Sequence, residues 1–506
     1  MERRFILGID QGSTGSKILL VDDQGEVVKS AYRPVASYYP QEGWLEHDPE
    51  ELWRSVEEGL EEVVQGLRGE NPRAIGITNQ RETAIIWDRA EGRALTPAIS
   101  WQCNRTISII EGWRPLWDEI LAKTGLVCSA YYSASKILWM LENNPSLRRR
   151  AEKGELCFGT VNTWLIYKLT GGKIHATDST NAGRTMLFDI EKNSWDENLI
   201  RQMEIPPSLL PGVLPCDGDY GEAVYPREVF PKGVPIQSCI GDQQSALVGQ
   251  ACFSRGEAKC TIGTCINLVT QTQKLERTTG SVPPSIAFNL SGRLQYDLEG
   301  GVYVAGSIND FLIDQLGMAK TPQEVSALAQ GVDSADGVYV VPAFQGLGSP
   351  YWNANARGLF IGLSRYHTKA HVFRAALESM ALQTNDVVIE LKEKCGVSVN
   401  LLRVDGGVAR NDFILQGFAD IIGCRIERPK NTDRTPMGAV YIAGLASGLW
   451  KGTEELKSLW KLDRAYEPEM NSARREELLG GWKEAVKRSL DWANQPGKAG
   501  EGRRPG

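Results

Sequence analysis

Histidine is scarce, with 4 in 506 residues, and none of the 10 cysteines falls in a Cys-x-x-Cys pair. A zinc framework or a disulfide scaffold would need such pairs, so free, mostly buried thiols in a reducing compartment are expected. Basic runs long enough for nucleic acid are also missing. A formal net charge of −7 argues further against a polyanionic partner. No apolar stretch reaches the roughly 20 residues of a membrane helix. The N-terminus enters a strand pattern almost at once, which leaves no room for a signal peptide and points to a cytoplasmic protein. The Gly-Lys-Ser/Thr of a P-loop opening a helix is absent too.

The chain does have size and an ordinary core. At 506 residues two or more domains are expected, and 42% hydrophobic residues exclude a disordered protein. Its opening reads Ile6-Leu7-Gly8-Ile9, then Asp10-Gln11-Gly12-Ser13-Thr14-Gly15-Ser16-Lys17, then Ile18-Leu19-Leu20-Val21. Two apolar strands thus flank a tight polar turn. Glycines let backbone N–H groups approach phosphate oxygens. Ser13, Thr14 and Ser16 add neutral donors, Lys17 adds charge, and Asp10 at the strand end is placed to hold a metal ion. The competing reading is a hairpin whose glycines serve the turn alone. A second loop, Thr261-Ile262-Gly263-Thr264-Cys265-Ile266-Asn267, repeats the plan about half a chain later. A repeat on that scale implies two similar domains.

Strand and helix patterns alternate along the first half. Asp48-Pro49-Glu50 starts a helix, with Asp48 as N-cap and Pro49 at the first helical position. Strands are predicted at Val27–Tyr32, Ala74–Thr78 and Thr83–Asp88, and helices at Ile137–Leu141 and Val161–Leu169. Prolines and glycines over Leu209–Pro235 mark a transition between halves. Beyond it come strands at Ala258–Thr270 and Tyr296–Val304, a helix from about Ile308, a strand at Gly337–Pro342, and helices at His371–Lys394, Asn411–Ile422 and Leu479–Asn494. The architecture is α/β, with the chain divided into 1–250, 251–494 and a Gly/Arg-rich tail, 495–506.

Asp242 follows the apolar approach Cys239-Ile240-Gly241 and opens an amphipathic segment, so it lies near a helix N-terminus. It is either an N-cap or a catalytic base taking a proton from a substrate hydroxyl during phosphoryl transfer. Asn79-Gln80-Arg81-Glu82 lies at the end of a buried strand, where α/β sites form. Arg81 and Glu82 suit a polyhydroxy substrate, or form a surface ion pair worth little. Trp101 and Tyr131 offer apolar walls, or simply core. Asp405-Gly406-Gly407-Val408-Ala409-Arg410-Asn411 is a glycine turn that could hold a nucleotide, or only join strand to helix.

In this order the motifs resemble the FGGY carbohydrate kinase family. The densest strings are Ile9–Gly12, Gly43–Pro49, Gly76–Thr83, Trp101–Cys103, Tyr132–Trp139 with Lys136, Arg184–Phe188, Gly241–Leu247, Gly358–Glu378 and Asp405–Gly407. The resemblance implies two actin-like (ribonuclease H-like) domains flanking a cleft for ATP and substrate. It implies ATP with Mg²⁺ and transfer of the γ-phosphate to a terminal hydroxyl of a small polyol. Glycerol is the first choice, giving sn-glycerol 3-phosphate. Asp242 is then the general base, and Arg81, Glu82, Trp101, Tyr131, Asp242, Gln243 and the position of Asn267 form the substrate pocket. Asp10, Gln11, Gly12, Ser13, Thr14, Gly15 and Lys17 of the first hairpin, with Gly263 and Thr264 of the second, serve the phosphates. Gly306, Asp310, Gly407 and Asn411 hold the nucleotide, and Asp10 and Asp242 hold the metal. A homodimer or homotetramer is expected on the same ground.

Four positions depart from the family pattern. Lys17 stands where arginine is usual, Cys265 for a glycine, Asn267 for an aromatic lining the substrate, and Asp310 for a glutamine. Cys265 would strain the turn if that position needs a positive φ. Asn267 opens the alternative of a larger polyol or sugar, such as erythritol or a pentulose. A reading of another class is an actin-like structural or chaperone ATPase, which would need no polyol pocket.

Overall fold

The computed structural model describes residues 4–65 and 71–494. The expected tail, 495–506, lies outside the described residues. The chain packs as two compact units, each drawn from three segments. The first comprises Met1–Phe253, Gln271–Asp297 and Asp433–Trp460, and the second Ser254–Thr270, Leu298–Thr432 and Lys461–Gly506. The Pro/Gly-rich stretch Leu209–Pro235 therefore does not mark a junction. It folds inside the first unit, where it supplies the strands Gly212–Leu214 and Glu222–Ala223.

The first unit is built on a six-stranded sheet, in the order Glu222–Ala223, Val234–Gly241, Ala74–Asn79, Phe5–Gly12, Gly15–Asp22, Val27–Pro34. Phe5–Gly12 and Gly15–Asp22 form an antiparallel hairpin, with Gly12 opposite Gly15 across the Ser13-Thr14 turn. Phe5–Gly12, Ala74–Asn79 and Val234–Gly241 run parallel, and Gln11, Asn79 and Gly241 are in register. The residues just past that row sit at the carboxyl ends of three adjacent parallel strands, where α/β folds place ligands.

Both faces of this sheet are covered. Leu7 and Ile9 on one face pack in a core with Leu52, Val56 and Leu60 of the helix Pro49–Val64. That helix starts as its sequence predicts: Asp48 accepts from the Glu50 N–H and Pro49 begins the first turn. On the other face the helix Arg434–Ala446 approaches to backbone distance. A Cβ at Gly8 would lie 2.6 Å from Val440, and one at Gly76 only 2.3 Å from the Ala439 carbonyl. Alternation of large and absent side chains along one strand thus accommodates two different layers.

The second unit repeats the hairpin-plus-parallel-strand plan. Glu257–Ile262 and Ile266–Gln271 are antiparallel around a three-residue loop, and Glu257–Ile262 runs parallel to Leu401–Asp405. Leu401–Asp405 in turn pairs in parallel with Arg425–Pro429, which pairs antiparallel with Leu462–Tyr466. The 27-residue helix Lys369–Cys395 begins in a capping box between Thr368 and His371 and ends at Gly396, φ +63°. The last helix begins at Ser472, not Leu479, because Asn471 caps it by accepting from the Arg474 N–H. The helix expected from Ile308 is one short turn, Ser307–Asp310, continued by a π-type turn, Phe311–Gln315. Among the described residues no helix is long and apolar enough to cross a membrane. Seven cysteines are buried, and Cys265 is exposed.

Candidate active site

In the first unit, Asp10, Arg81, Glu82, Asp242 and Gln243 all follow or close the three parallel strands. Asp242 is the first residue of the helix Asp242–Gly249, and Gly241 occupies the cap position. The N-cap reading of Asp242 is therefore displaced, leaving its carboxylate available to other groups. That carboxylate lies 2.9 Å from the Arg81 Nε, with Arg81 almost fully buried and Asp242 partly open. Its Oδ1 also accepts from the Gln243 backbone N–H at 2.7 Å. A Cβ at Gly241 would stand 2.7 Å from the Arg81 Cδ, so only glycine lets the arginine pass at this point.

Arg81 and Glu82 are not a surface pair. Both are buried. Arg81 donates to the Gln244 Oε1 at 3.0 Å, and Gln244 donates onward to Asp297 and Ser285. Glu82 pairs with the Arg184 Nε at 2.6 Å, both side chains being inaccessible. The Glu82 backbone has φ +63°, a region that non-glycine residues occupy at a cost, and its carbonyl accepts from the Ser133 hydroxyl at 2.9 Å. Trp101 and Tyr131 meet at 5.2 Å between ring centroids, and Tyr131 meets Tyr132 at the same distance.

The first hairpin differs from its sequence reading in three ways. The Ser16 hydroxyl is no phosphate donor: it is buried against the Ser55 hydroxyl at 2.7 Å. Ser13 is already engaged, donating to the Gln80 Oε1 at 3.3 Å and accepting from the Trp101 indole at 2.9 Å. Gln11 is buried and bonded to the Gly12 carbonyl and to Gln80. Thr14 is exposed at the turn, with the Tyr32 hydroxyl against its carbonyl. Gly15 is demanded by packing, since a Cβ would meet the Arg33 carbonyl at 2.5 Å. At Gly12 the nearest atom would be 3.5 Å away.

Charge converges beneath this turn. Lys17 sits opposite Asp10 in the hairpin register and pairs with Asp433 at 2.5 Å. Burial pushes the Asp10 carboxyl up to about 7, the Asp242 charge adds to the rise, Lys17 opposes it, and Asp433 adds again. Among the described residues no cluster of three or more metal-ligating side chains occurs.

Of the candidate residues in the second unit, Gly306 lies directly against its hairpin. The Gly306 N–H donates to the Gly263 carbonyl at 2.9 Å, and a Cβ at Gly306 would come within 2.7 Å of that oxygen. The Thr264 carbonyl accepts from the Ala305 N–H and the Ser307 hydroxyl, each at 2.9 Å, and its side chain is exposed. Cys265 is not among the residues with positive φ, so the expected strain is absent. Asn267 donates to the Glu299 Oε1 at 3.1 Å, while its buried Oδ1 accepts nothing among the described residues. Asp310 is exposed. In the Asp405–Asn411 turn the glycine that the backbone requires is Gly406, with φ +92° and the Ile262 carbonyl 2.4 Å from a Cβ position, whereas Gly407 is open. Asn411 spends its oxygen capping the helix Asp412–Ile422 and its amide N–H on the Ser326 hydroxyl.

The N-terminal domain model of the FGGY family of carbohydrate kinases matches residues 5–249, and the C-terminal domain model matches residues 258–447. The chain belongs to this family. It is 44% identical over 494 residues to glycerol kinase 2 of Thermotoga maritima, covering 97% of this chain and 99% of that protein. It is 43% identical over 498 residues to glycerol kinase of Carboxydothermus hydrogenoformans, covering 97% and 99%. Its structure is similar to that of Plasmodium falciparum glycerol kinase with ADP, at TM-score 0.92 and 35% identity over 96% of this chain and 98% of that one. Gluconate kinase of Lactobacillus acidophilus shares the fold, at TM-score 0.87 and 24% identity. The fold is thus the two-domain, actin-like α/β architecture of FGGY kinases.

Sequence reasoning passed over Asp297 and Asp433, and took Lys136, Arg184 and Gln244 only as parts of longer strings. Gln244 could have been found, standing two residues beyond Asp242 on the same helix. Asp433 carried no local signal, because its partner Lys17 lies 416 residues earlier.

Proposed function

We propose that this protein is an ATP-dependent glycerol kinase, forming sn-glycerol 3-phosphate. The pairing of buried Arg81 with the partly open Asp242 carries the reading, because it sets a carboxylate and a guanidinium side by side at the mouth of the parallel strands, in a chain that glycerol kinases match over nearly its whole length. Arg81 and Glu82 orient two hydroxyls of the acceptor, and Trp101 and Tyr131 cover its carbon backbone. Asp242 accepts the proton of the terminal hydroxyl as its oxygen attacks the γ-phosphorus and ADP leaves. Arg81 holds that carboxylate in place. The Ser13–Thr14 turn, Lys17 and the Gly263–Thr264 turn bind phosphate oxygens, and Gly306, Asp310, Gly407 and Asn411 bind the rest of the nucleotide.

Asp10 and Asp242 fit a Mg²⁺ ion. Their mutual repulsion and the burial of Asp10 are what a divalent cation relieves, and such ions commonly take one or two carboxylates plus phosphate oxygens. An ion held by these two carboxylates would supply neutralisation of phosphate charge. The same proposal places acceptor chemistry before about residue 250 and nucleotide contacts after it, in a cytoplasmic homodimer or homotetramer. Light scattering of the purified protein tests the assembly.

One observation favours a second reading, a larger or more polar acceptor. The unengaged Oδ1 of Asn267 could accept a bond from an extra hydroxyl. ADP release with MgATP is to be measured for glycerol, dihydroxyacetone, erythritol, xylulose, ribulose and no acceptor. Preference for glycerol is the expected result. Preference for a longer acceptor would transfer the assignment to the second reading, and turnover indifferent to acceptor would sink both in favour of an actin-like ATPase.

A further inference from the structure

Lys136 lies in the first turn of the helix Ser133–Glu142 and is wholly buried. Its ammonium donates to three consecutive carbonyls, those of Ala130 at 2.6 Å, Tyr131 at 2.7 Å and Tyr132 at 3.0 Å. The location is costly for a cation. Burial pulls its pKa down to about 7, with Glu82 opposing the fall, and the positive end of a helix macrodipole is close by. A buried lysine would be replaced by a leucine or methionine at little loss if it served only to fill space. Three carbonyls aimed at one nitrogen need three N–H groups, and the ammonium supplies all of them.

Those carbonyls belong to the turn that carries Tyr131. Fixing them fixes where the Tyr131 ring stands, 5.2 Å from Trp101. The same helix turn reaches the other side of the pocket through Ser133, which holds the carbonyl of Glu82. The charge is compensated locally. Glu82 is the anion that Lys136 senses, Arg184 pairs with that carboxylate, and Cys103 and Arg105 are the remaining titratable groups facing the ammonium.

We propose that Lys136 is a positioning residue for the acceptor pocket, holding the Ala130–Tyr132 turn so that Tyr131 closes against Trp101. The inference rests on the glycerol kinase reading of the Trp101–Tyr131 wall. A side chain that orders the shell behind a binding group acts on affinity for that ligand and leaves remote ligands alone.

The test is a kinetic split in the intact protein. Lys136→Gln keeps two of the three N–H donors, and Lys136→Met keeps none. The glycerol KM is expected to rise at least about tenfold in Lys136→Met and by an intermediate amount in Lys136→Gln, with the KM for ATP unchanged. Tyr131→Leu is measured alone and combined with Lys136→Gln. If Lys136 works through the Tyr131 ring, the Lys136→Gln effect on glycerol KM disappears in the Tyr131→Leu background. Should Lys136→Met fail to fold, Lys136→Gln and the double variant decide. A folded Lys136→Gln with the parental glycerol KM, or equal losses in both KM values, overturns the proposal while leaving the pocket intact. A Tyr131→Leu enzyme with unchanged glycerol KM overturns the pocket reading and the proposal with it.

Discussion

The indole N–H of Trp101 donates to the hydroxyl of Ser13 at 2.9 Å, so one hydrogen bond joins the proposed acceptor wall to the tip of the first hairpin. Ser13 passes the contact on to Gln80, at the end of the central parallel strand. Trp101→Phe keeps the ring and removes this bond. A net hydrogen bond of this kind contributes about 1 kcal/mol, so a change of roughly fivefold is expected. It should appear as a higher glycerol KM together with faster ATP hydrolysis in the absence of acceptor. Measuring ADP release with and without glycerol checks this. Unaltered acceptor dependence would show that the bond is only structural.

Asp242→Asn retains shape and removes the proposed base. Turnover is expected to fall by about two to four orders of magnitude, the usual worth of a general base, with the KM for ATP retained. Arg81 loses its charged neighbour in the same variant, so a lower melting temperature is also expected. A steady-state series and a thermal melt on one preparation separate the two effects.

The glycines of the first turn should part company under substitution. Gly15→Ala drives a Cβ to 2.5 Å from the Arg33 carbonyl, whereas Gly12→Ala meets nothing closer than 3.5 Å. Gly15→Ala is therefore expected to cost about 1–3 kcal/mol in stability through overpacking. Gly12→Ala is expected to unfold like the parent and to show its effect in the KM for ATP. Urea unfolding and ATP titration of both variants provide the comparison.

His175 gives the stability a pH dependence of known sign. Burial pulls its imidazole down from 6.5 to about 4, with the Phe158 carbonyl opposing. Between those values the folded protein holds His175 neutral while the unfolded chain binds a proton. Stability is therefore retained above pH 6.5 and lost as the pH falls toward 4. From pH 7 to pH 5 the loss should be about 2 kcal/mol. His175→Gln should flatten that part of the curve in urea unfolding at the two pH values, and an equally steep fall in the variant would assign the effect elsewhere.

The parts of this molecule legible in sequence are those whose causes are local. Asp48 and Pro49 start a helix because the cap and the first turn lie next to each other in the chain. The two hairpins were visible because each is a strand, a turn and a strand in succession. Ser16 was misjudged as a phosphate donor because its partner, Ser55, is on a different element. Gly407 drew attention, yet the left-handed backbone falls at Gly406, since adjacent glycines look alike until the Ile262 carbonyl is in view. Asp242, Arg81 and Glu82 were singled out from their place at strand ends, but the partners Gln244 and Arg184 came from packing that a linear reading does not contain.

The helix that begins with Asp242 rests on the helix Arg434–Ala446 with no side chains to spare between them. A Cβ at Gly438 would fall 1.8 Å from the Ser245 carbonyl, one at Gly249 would fall 1.9 Å from the Arg434 carbonyl, and Ser245 bonds to the Thr435 carbonyl at 2.6 Å. During synthesis, the segment that emerges earlier therefore carries the Asp242 carboxylate without its seat. The seat is translated later, on Arg434–Ala446. A nascent chain cannot complete this layer until that second helix has also left the ribosome, well after Asp242 itself.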